Sequence, residues 1–270
     1  RSCSLFHYRK FMVNIYEEPK DEDQASIKEF SNKVFATASE SVEWSTAPLA
    51  HLNYETNSKV SNRSGVLLEI ADMQFLITAA HGMIELYESG NILNILLPEK
   101  GADSVPLIKE RFWSSKNPDE DICVCKLLPD TVRAMGTGFR FLRLNQLMSQ
   151  YDSNQFRGFY LILGYPEAMI RIDSEDGNRF DPWKYLATPF QRDYANVSNY
   201  DEQLHLVLDY DRQTINRDGN TVHPPGLSGC GVYFAGHPTT HALLQHDDLK
   251  LVGIQVAWHK GEQYAKVVWI

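Results

Sequence analysis

The sequence predicts an all-β protein of antiparallel strands, fronted by one helix near its N-terminus. Three observations predict it. Short apolar runs rich in β-branched and aromatic residues recur from Gly65 to the end of the chain. Clusters of Gly, Pro, Asn and Asp separate these runs, as turns do. No long helical segments alternate with them, which argues against βαβ units and for an antiparallel sandwich or barrel.

The elements are read in chain order. Residues 1–20 mix basic, aromatic and acidic side chains without a period. Residues 21–44 read as a helix. Asp21, Glu22 and Asp23 suit a helix N-terminus, and Ile27, Phe30, Val34 and Phe35 fall at i, i+3, i+7 and i+8 along one stripe. That stripe has to be buried, so the helix is expected to dock on the main body. Pro48 and the polar stretch 53–64 are expected to separate it from the strands. Residues 66–70 and 74–78 read as a hairpin about a turn at 71–73. Further strands are expected at 92–97, 122–128, 158–164, 204–210, 231–235, 249–258 and 264–269. The polar, acidic stretch 171–203 is expected to be a surface excursion.

Composition bounds the function. With 270 residues, 43% of them hydrophobic, the chain can bury roughly three quarters of its unfolded surface without disulfides or metals. A net charge of −9 argues against nucleic acid as a partner, which needs a basic footprint. It argues equally against an anionic membrane surface. The longest apolar runs, such as 75–80, fall far short of the roughly 20 residues of a bilayer span. No basic-then-apolar leader opens the chain; it begins at Arg1, which leaves open a longer parent. Four cysteines are too few for a disulfide scaffold. Cys123 and Cys125, two apart on a strand, share a face but bridge awkwardly. All four are expected to be reduced, which points to a cytoplasmic setting.

Three short strings carry the chemistry. Phe75-Leu76-Ile77-Thr78-Ala79-Ala80-His81-Gly82 is an apolar strand ending in small residues and a histidine. Asp121-Ile122-Cys123-Val124-Cys125 sets an aspartate at the mouth of a strand. Pro225-Gly226-Leu227-Ser228-Gly229-Cys230-Gly231 sets a serine in a glycine-rich turn that leads into a strand. A serine hydroxyl needs an adjacent base to act as a nucleophile. Imidazole takes that proton near neutral pH and returns it to a leaving amine. A carboxylate behind the ring fixes its tautomer. The N–H groups of Gly226 and Ser228 suit a developing oxyanion. Taken singly, each string is ordinary: a strand-end histidine, a capping aspartate, a structural turn. Their conjunction and order, His81 then Asp121 then Ser228, distinguish them. An α/β-hydrolase would run serine, acid, histidine, with a helix after the nucleophile.

The chain resembles the chymotrypsin/trypsin-like serine proteases, the double β-barrel family. The family's histidine motif is similar to Thr78-Ala79-Ala80-His81, its aspartate motif to Asp121-Ile122-Cys123-Val124, and its nucleophile motif to Gly226-Leu227-Ser228-Gly229. The strand 251–254 with Ala257 and Trp258 resembles the one bordering the family's primary specificity pocket. The resemblance spans 65–270. It implies two antiparallel six-stranded β-barrels with an N-terminal helical extension: residues 1–60 as the extension, 61–150 as a barrel carrying His81 and Asp121, and 151–270 as a barrel carrying Ser228. The cleft between the barrels would hold a protein or peptide substrate paired to an exposed strand edge.

Departures from the family's pattern shape the rest. Secreted animal members carry aspartate before the nucleophile, where it pairs with a newly cut N-terminus; here Leu227 stands there, so activation by that ion pair is not expected. Cys230 replaces a usual glycine and is expected to be a small buried hydrophobe. The long leader and few cysteines look more like bacterial or other intracellular branches, where a regulatory partner is expected to restrain the enzyme. Val222 stands where trypsin-type members place an acid, which disfavours Arg or Lys before the cut, though Asp218 lies near. Ala257, Trp258 and His259 would wall the pocket, and a medium apolar or polar side chain is expected there. His223 could also contact it. His237, His241 and His246 with Asp247 and Asp248 match no metal-ligand spacing, and neither metal nor cofactor is expected. The alternative to a serine endopeptidase is a catalytically silent binding module on the same fold.

Overall fold

In the β-rich half of the sequence, Val66, Leu67 and Leu68 are all buried, although a half-exposed strand would alternate. A strand covered on both faces reads as a continuous apolar run, and both faces of this one are covered. The computed structural model describes residues 21–53, 58–81, 83, 92–97, 104–108, 110–148, 158–167, 170–171, 179–190, 194–210, 226–236, 248–259 and 263–270.

Helix α1 spans Asp21–Glu40 and ends in a short 3-10 turn, Glu43–Ser45. The first sheet then runs through β1 (Thr46–Asn53), β2 (Ser58–Ile70), β3 (Met73–Ala79), β4 (Ile92–Leu96), β5 (Ser104–Pro106), β6 (Arg111–Ser114) and β7 (Ile122–Lys126). A short helix α2 (Pro129–Met135) precedes β8 (Leu142–Arg143), which lies parallel to β2. The strand order is β5-β4-β1-β2-β3-β7-β6, antiparallel throughout that path. Leu49, Leu67, Leu76, Ile95, Val105 and Cys125 share one buried cluster, with Phe112 packed against it. These residues come from every strand of the path, the two outermost included. The sheet therefore curls around its own core.

The second half contributes β9 (Phe159–Gly164), the pair β10 (Ile170–Arg171) and β11 (Arg179–Phe180), β12 (Trp183–Ala187), β13 (His205–Asp209), β14 (Gly231–Gly236), β15 (Lys250–His259) and β16 (Tyr264–Trp269). Six of these make a second antiparallel sheet in the order β12-β9-β14-β15-β16-β13. Beyond β12 the chain reaches the opposite edge. The Phe190 N–H donates to the Val207 carbonyl at 2.8 Å and the Asp209 N–H to the Thr188 carbonyl at 2.9 Å, which closes this sheet into a barrel. Tyr160, Ile162, Val232, Val252, Leu208 and Val267 fill it.

The alternate residues of the same strands face out and meet. Val66, Leu68 and Ile77 of the first barrel pack with Leu161, Leu163, Tyr233 and Leu251 of the second, and Phe30, Val34 and Ala38 of α1 complete the layer. The apolar stripe of α1 thus covers the seam between the barrels, with the Lys184 ammonium held 2.6 Å from the Glu43 carboxylate beside it. This is the all-β architecture of two antiparallel barrels with an N-terminal helix.

Several stretches differ from expectation. Pro48 and 53–64 form parts of β1 and β2 rather than a separator. Pro48 is tolerated because β4 pairs only with Leu49 to Leu52, so the N–H that proline lacks is not required on that side. The stretch 171–203 contains β12, whose Trp183 is buried in the second core. The first sheet carries eight strands, among them the short β5, β6 and β8, whose few residues leave no period to read.

Candidate active site

Antiparallel register brings the first two residues together. β3 and β7 pair Thr78 with Cys123 and Ala79 with Ile122. One step further, the Ala80 N–H donates to the Asp121 carbonyl at 2.8 Å. His81 and Asp121 are therefore neighbours by construction, though 40 residues apart in sequence. The carboxylate grips the histidine twice: Oδ1 accepts the His81 backbone N–H at 2.6 Å, and Oδ2 lies 2.6 Å from ring Nδ1. With Nδ1–H directed at a carboxylate, Nε2 keeps its lone pair and can act as a base. The ring is about half exposed, so Nε2 can meet a substrate.

Asp121 adopts φ 42°, a left-handed conformation that aspartate tolerates better than most residues. The preceding loop is pinned by its own hydrogen bonds. The Asn117 N–H donates to Ser115 Oγ at 3.0 Å, the Asp119 N–H to Asn117 Oδ1 at 3.1 Å, and the Ser115 hydroxyl to the Glu120 carboxylate. Buried His205 of β13 steadies this loop from the second barrel. Its Nδ1 accepts the Asp201 N–H at 3.0 Å, which assigns the proton to Nε2, and Nε2 donates to the Asp119 carbonyl at 2.8 Å.

Ser228 arrives from the second barrel. The β2–β3 ladder begins at Val66 and Ile77, and where it opens, the turn 226–229 inserts. The Ser64 N–H donates to the Ser228 carbonyl at 3.1 Å, and Thr78 Oγ1 donates to the Ser64 carbonyl at 2.8 Å. Gly229, at φ 89°, fits only as glycine: a Cβ there would lie 2.2 Å from both Ser64 O and Thr78 Oγ1 and 3.1 Å from Ala79 N. On the other side the Gly229 N–H donates to the Gln255 carbonyl at 2.8 Å, so β15 borders the turn. Leu227 and Cys230 anchor it in the second core. The turn 226–229 thus packs on the last residues of β3 before His81. Among the described residues no hydrogen bond joins Ser228 Oγ to the His81 ring.

The hydrogen bonds orient one of the two N–H groups expected at an oxyanion. The Leu227 carbonyl accepts the Cys230 N–H at 3.0 Å, and the Ser228 N–H, antiparallel to it in the same planar peptide, points the other way. Gly226 has φ 94°, and a Cβ on it would come within 2.5 Å of Glu167 N. Both the conformation and the close approach demand glycine.

The remaining candidates divide. Ala257, Trp258 and His259 end β15, all partly buried. Trp258 packs with the second core, edge-on to Tyr210 at 5.9 Å, and His259 stacks on Tyr264 at 4.3 Å. Val222, Asp218, His223, His237, His241, His246 and Asp247 lie outside the described residues. Among the described residues no cluster of His, Cys, Asp and Glu could hold a metal. Cys123, Cys125 and Cys230 are free and buried. Burial, then the Asp121 charge, pushes the Cys123 thiol up to about 11, and burial raises Cys125 and Cys230 further. All three are thiols at neutral pH and poor nucleophiles. Sequence reasoning missed Ser64, Gln255 and His205. Ser64 and His205 act through contacts across the barrel seam and Gln255 through contacts with Gly229 and Cys230 within the second barrel, all between residues far apart in sequence, and no local pattern announces them.

No family model matches the chain, and no curated protein does. The solved structures it is similar to include three viral proteases. A point mutant of the tobacco etch virus protease aligns at 9% identity and TM-score 0.46, over 85% of this chain and 74% of that one. The tobacco vein mottling virus protease aligns at 8% and 0.46, over 85% and 78%. The serine protease domain of the Sesbania mosaic virus polyprotein aligns at 12% and 0.45, over 82% and 86%.

Proposed function

We propose that the chain is a serine endopeptidase acting through Ser228, His81 and Asp121. The observation that supports it most is the two-point grip of Asp121 on His81 beside a turn that admits only glycine at 229. A structural histidine needs neither the carboxylate behind it nor a serine turn inserted next to its strand.

In this reading His81 Nε2 takes the Ser228 hydroxyl proton as Oγ attacks the substrate carbonyl. The oxyanion that forms accepts hydrogen bonds from the Gly226 and Ser228 N–H groups; one such donor is typically worth about 10²–10³ in turnover. His81 then protonates the departing amine. Water, deprotonated by the same imidazole, releases the acyl group from Ser228. Asp121 orients the ring and stabilises the imidazolium.

The substrate is a protein or peptide lying between the barrels, with Val222, Ala257, Trp258 and His259 assigned to the pocket for the residue before the cut. The intracellular setting belongs to the same proposal and is supported by Cys123, Cys125 and Cys230 being free and buried; a restraining partner follows from that setting. No helix among the described residues is long and apolar enough to cross a membrane.

Cleavage of a randomised peptide library tests the function. The expected result is a defined set of cleaved bonds with the wild-type chain and none with Ser228→Ala. Cleavage that persists in Ser228→Ala would overturn the assignment. Absence of cleavage by the wild-type chain, with intact folding, would favour the binding module.

A further inference from the structure

We propose that Ser64 is a positioning residue for the nucleophile turn, locking it to the first barrel through its hydroxyl. This rests on the serine-endopeptidase reading and adds a residue to it.

Ser64 is fully buried on β2 and uses every polar group it has toward the site. Its N–H donates to the Ser228 carbonyl at 3.1 Å. Its Oγ donates to the Gly226 carbonyl at 3.2 Å and accepts the Tyr165 N–H at 2.8 Å. Its carbonyl accepts the Thr78 hydroxyl at 2.8 Å. One side chain therefore ties β2, the end of β9 and the turn 226–228 together.

The hydroxyl bond matters because of what it holds. Gly226, without a Cβ, has the widest conformational freedom of any residue, and its peptide with Leu227 adjoins a proposed oxyanion donor. Leu227 is fixed by burial in the second core, but burial of a side chain does not set the rotation of the peptide plane before it. The Ser64 hydroxyl does set it, by fixing the direction of the Gly226 carbonyl. Because Oγ also accepts the Tyr165 N–H, its own proton is committed to Gly226. Ground-state binding of substrate uses other surfaces, so loss of this lock should slow the chemical step and leave binding nearly intact.

The test compares Ser64→Thr with Ser64→Val. The two replacements share a shape and differ in the hydroxyl, so any strain from the added methyl is common to both. Turnover of a cleaved peptide, its KM, and the rate of fluorophosphonate labelling are measured for wild type, both variants and Ser228→Ala. The expected result is a kcat and a labelling rate for Ser64→Val about 10–100-fold below those of Ser64→Thr, with KM within about threefold. Equal kcat and labelling in the two variants would overturn the role. Should neither variant fold, Ser64→Ala replaces them, and wild-type kcat in that chain overturns it. A wild-type chain that neither cleaves nor labels overturns the endopeptidase reading itself. Labelled wild type, unlabelled Ser228→Ala and equal Thr and Val variants overturn only the role of Ser64.

Discussion

The Asp121 carboxylate holds His81 at two points at once, its backbone N–H and its ring Nδ1, each at 2.6 Å. A single contact would leave the ring free to swing about its side-chain bonds. Two contacts from one rigid group fix both the main-chain position and the tautomer.

Asp121→Asn should separate these roles. The amide oxygen can still accept the backbone N–H, but the amide NH₂ then faces Nδ1 and drives the ring proton to Nε2, leaving no base toward Ser228. Turnover is expected to fall about 10³–10⁴-fold with little change in melting temperature. Full activity in that variant would show that Asp121 does not orient His81.

Gly229→Ala should damage fold and function together. The new Cβ would fall 2.2 Å from Ser64 O at φ 89°, combining overpacking with backbone strain. A stability loss of about 3 kcal/mol and near-complete loss of peptide cleavage are expected. Denaturant titration measures the first, and unchanged stability would contradict the inserted-turn geometry.

The hairpin that feeds His81 offers a change in the opposite direction. Its turn places Ala71 at φ 49° and Asp72 at φ 61°, the two left-handed positions of a type I′ turn, for which Asn-Gly is preferred. The double change Ala71→Asn, Asp72→Gly is expected to stabilise the chain by about 1 kcal/mol. Activity should not change, because the turn lies at the far end of β3 from His81. A lowered melting temperature would contradict it.

Acid should destabilise the first barrel through His51. Burial, then the nearby Arg63 charge, holds its pKa at about 4, below the ordinary 6.5. The folded chain keeps the ring neutral while the unfolded chain protonates it. Its contribution is therefore complete above pH 6.5 and lost as pH falls toward 4. Melting temperature is expected to drop more over that range in wild type than in His51→Gln. Parallel curves would exclude His51 as the cause.

The sequence is legible where local pattern encodes the structure. The hairpin around 71–72, β16, and the strings holding His81, Asp121 and Ser228 were legible, because strand periodicity and glycine spacing are written in adjacent residues. β1 was not, because Pro48 reads as a breaker unless one knows that β4 stops short of it. β12 was hidden in a polar stretch, since Lys184 spends its charge on Glu43 of the segment after α1. Ser64 meets Gly226 across 162 positions, and only the folded seam reveals that distance closed.

The central claim is that Ser228 is made nucleophilic by His81. Intact-mass analysis after treatment with a fluorophosphonate, followed by peptide mapping, tests it most directly. A single adduct on Ser228, lost in His81→Ala and in the unfolded chain, is the expected result. A wild-type chain that stays unmodified, or one modified elsewhere, would contradict it.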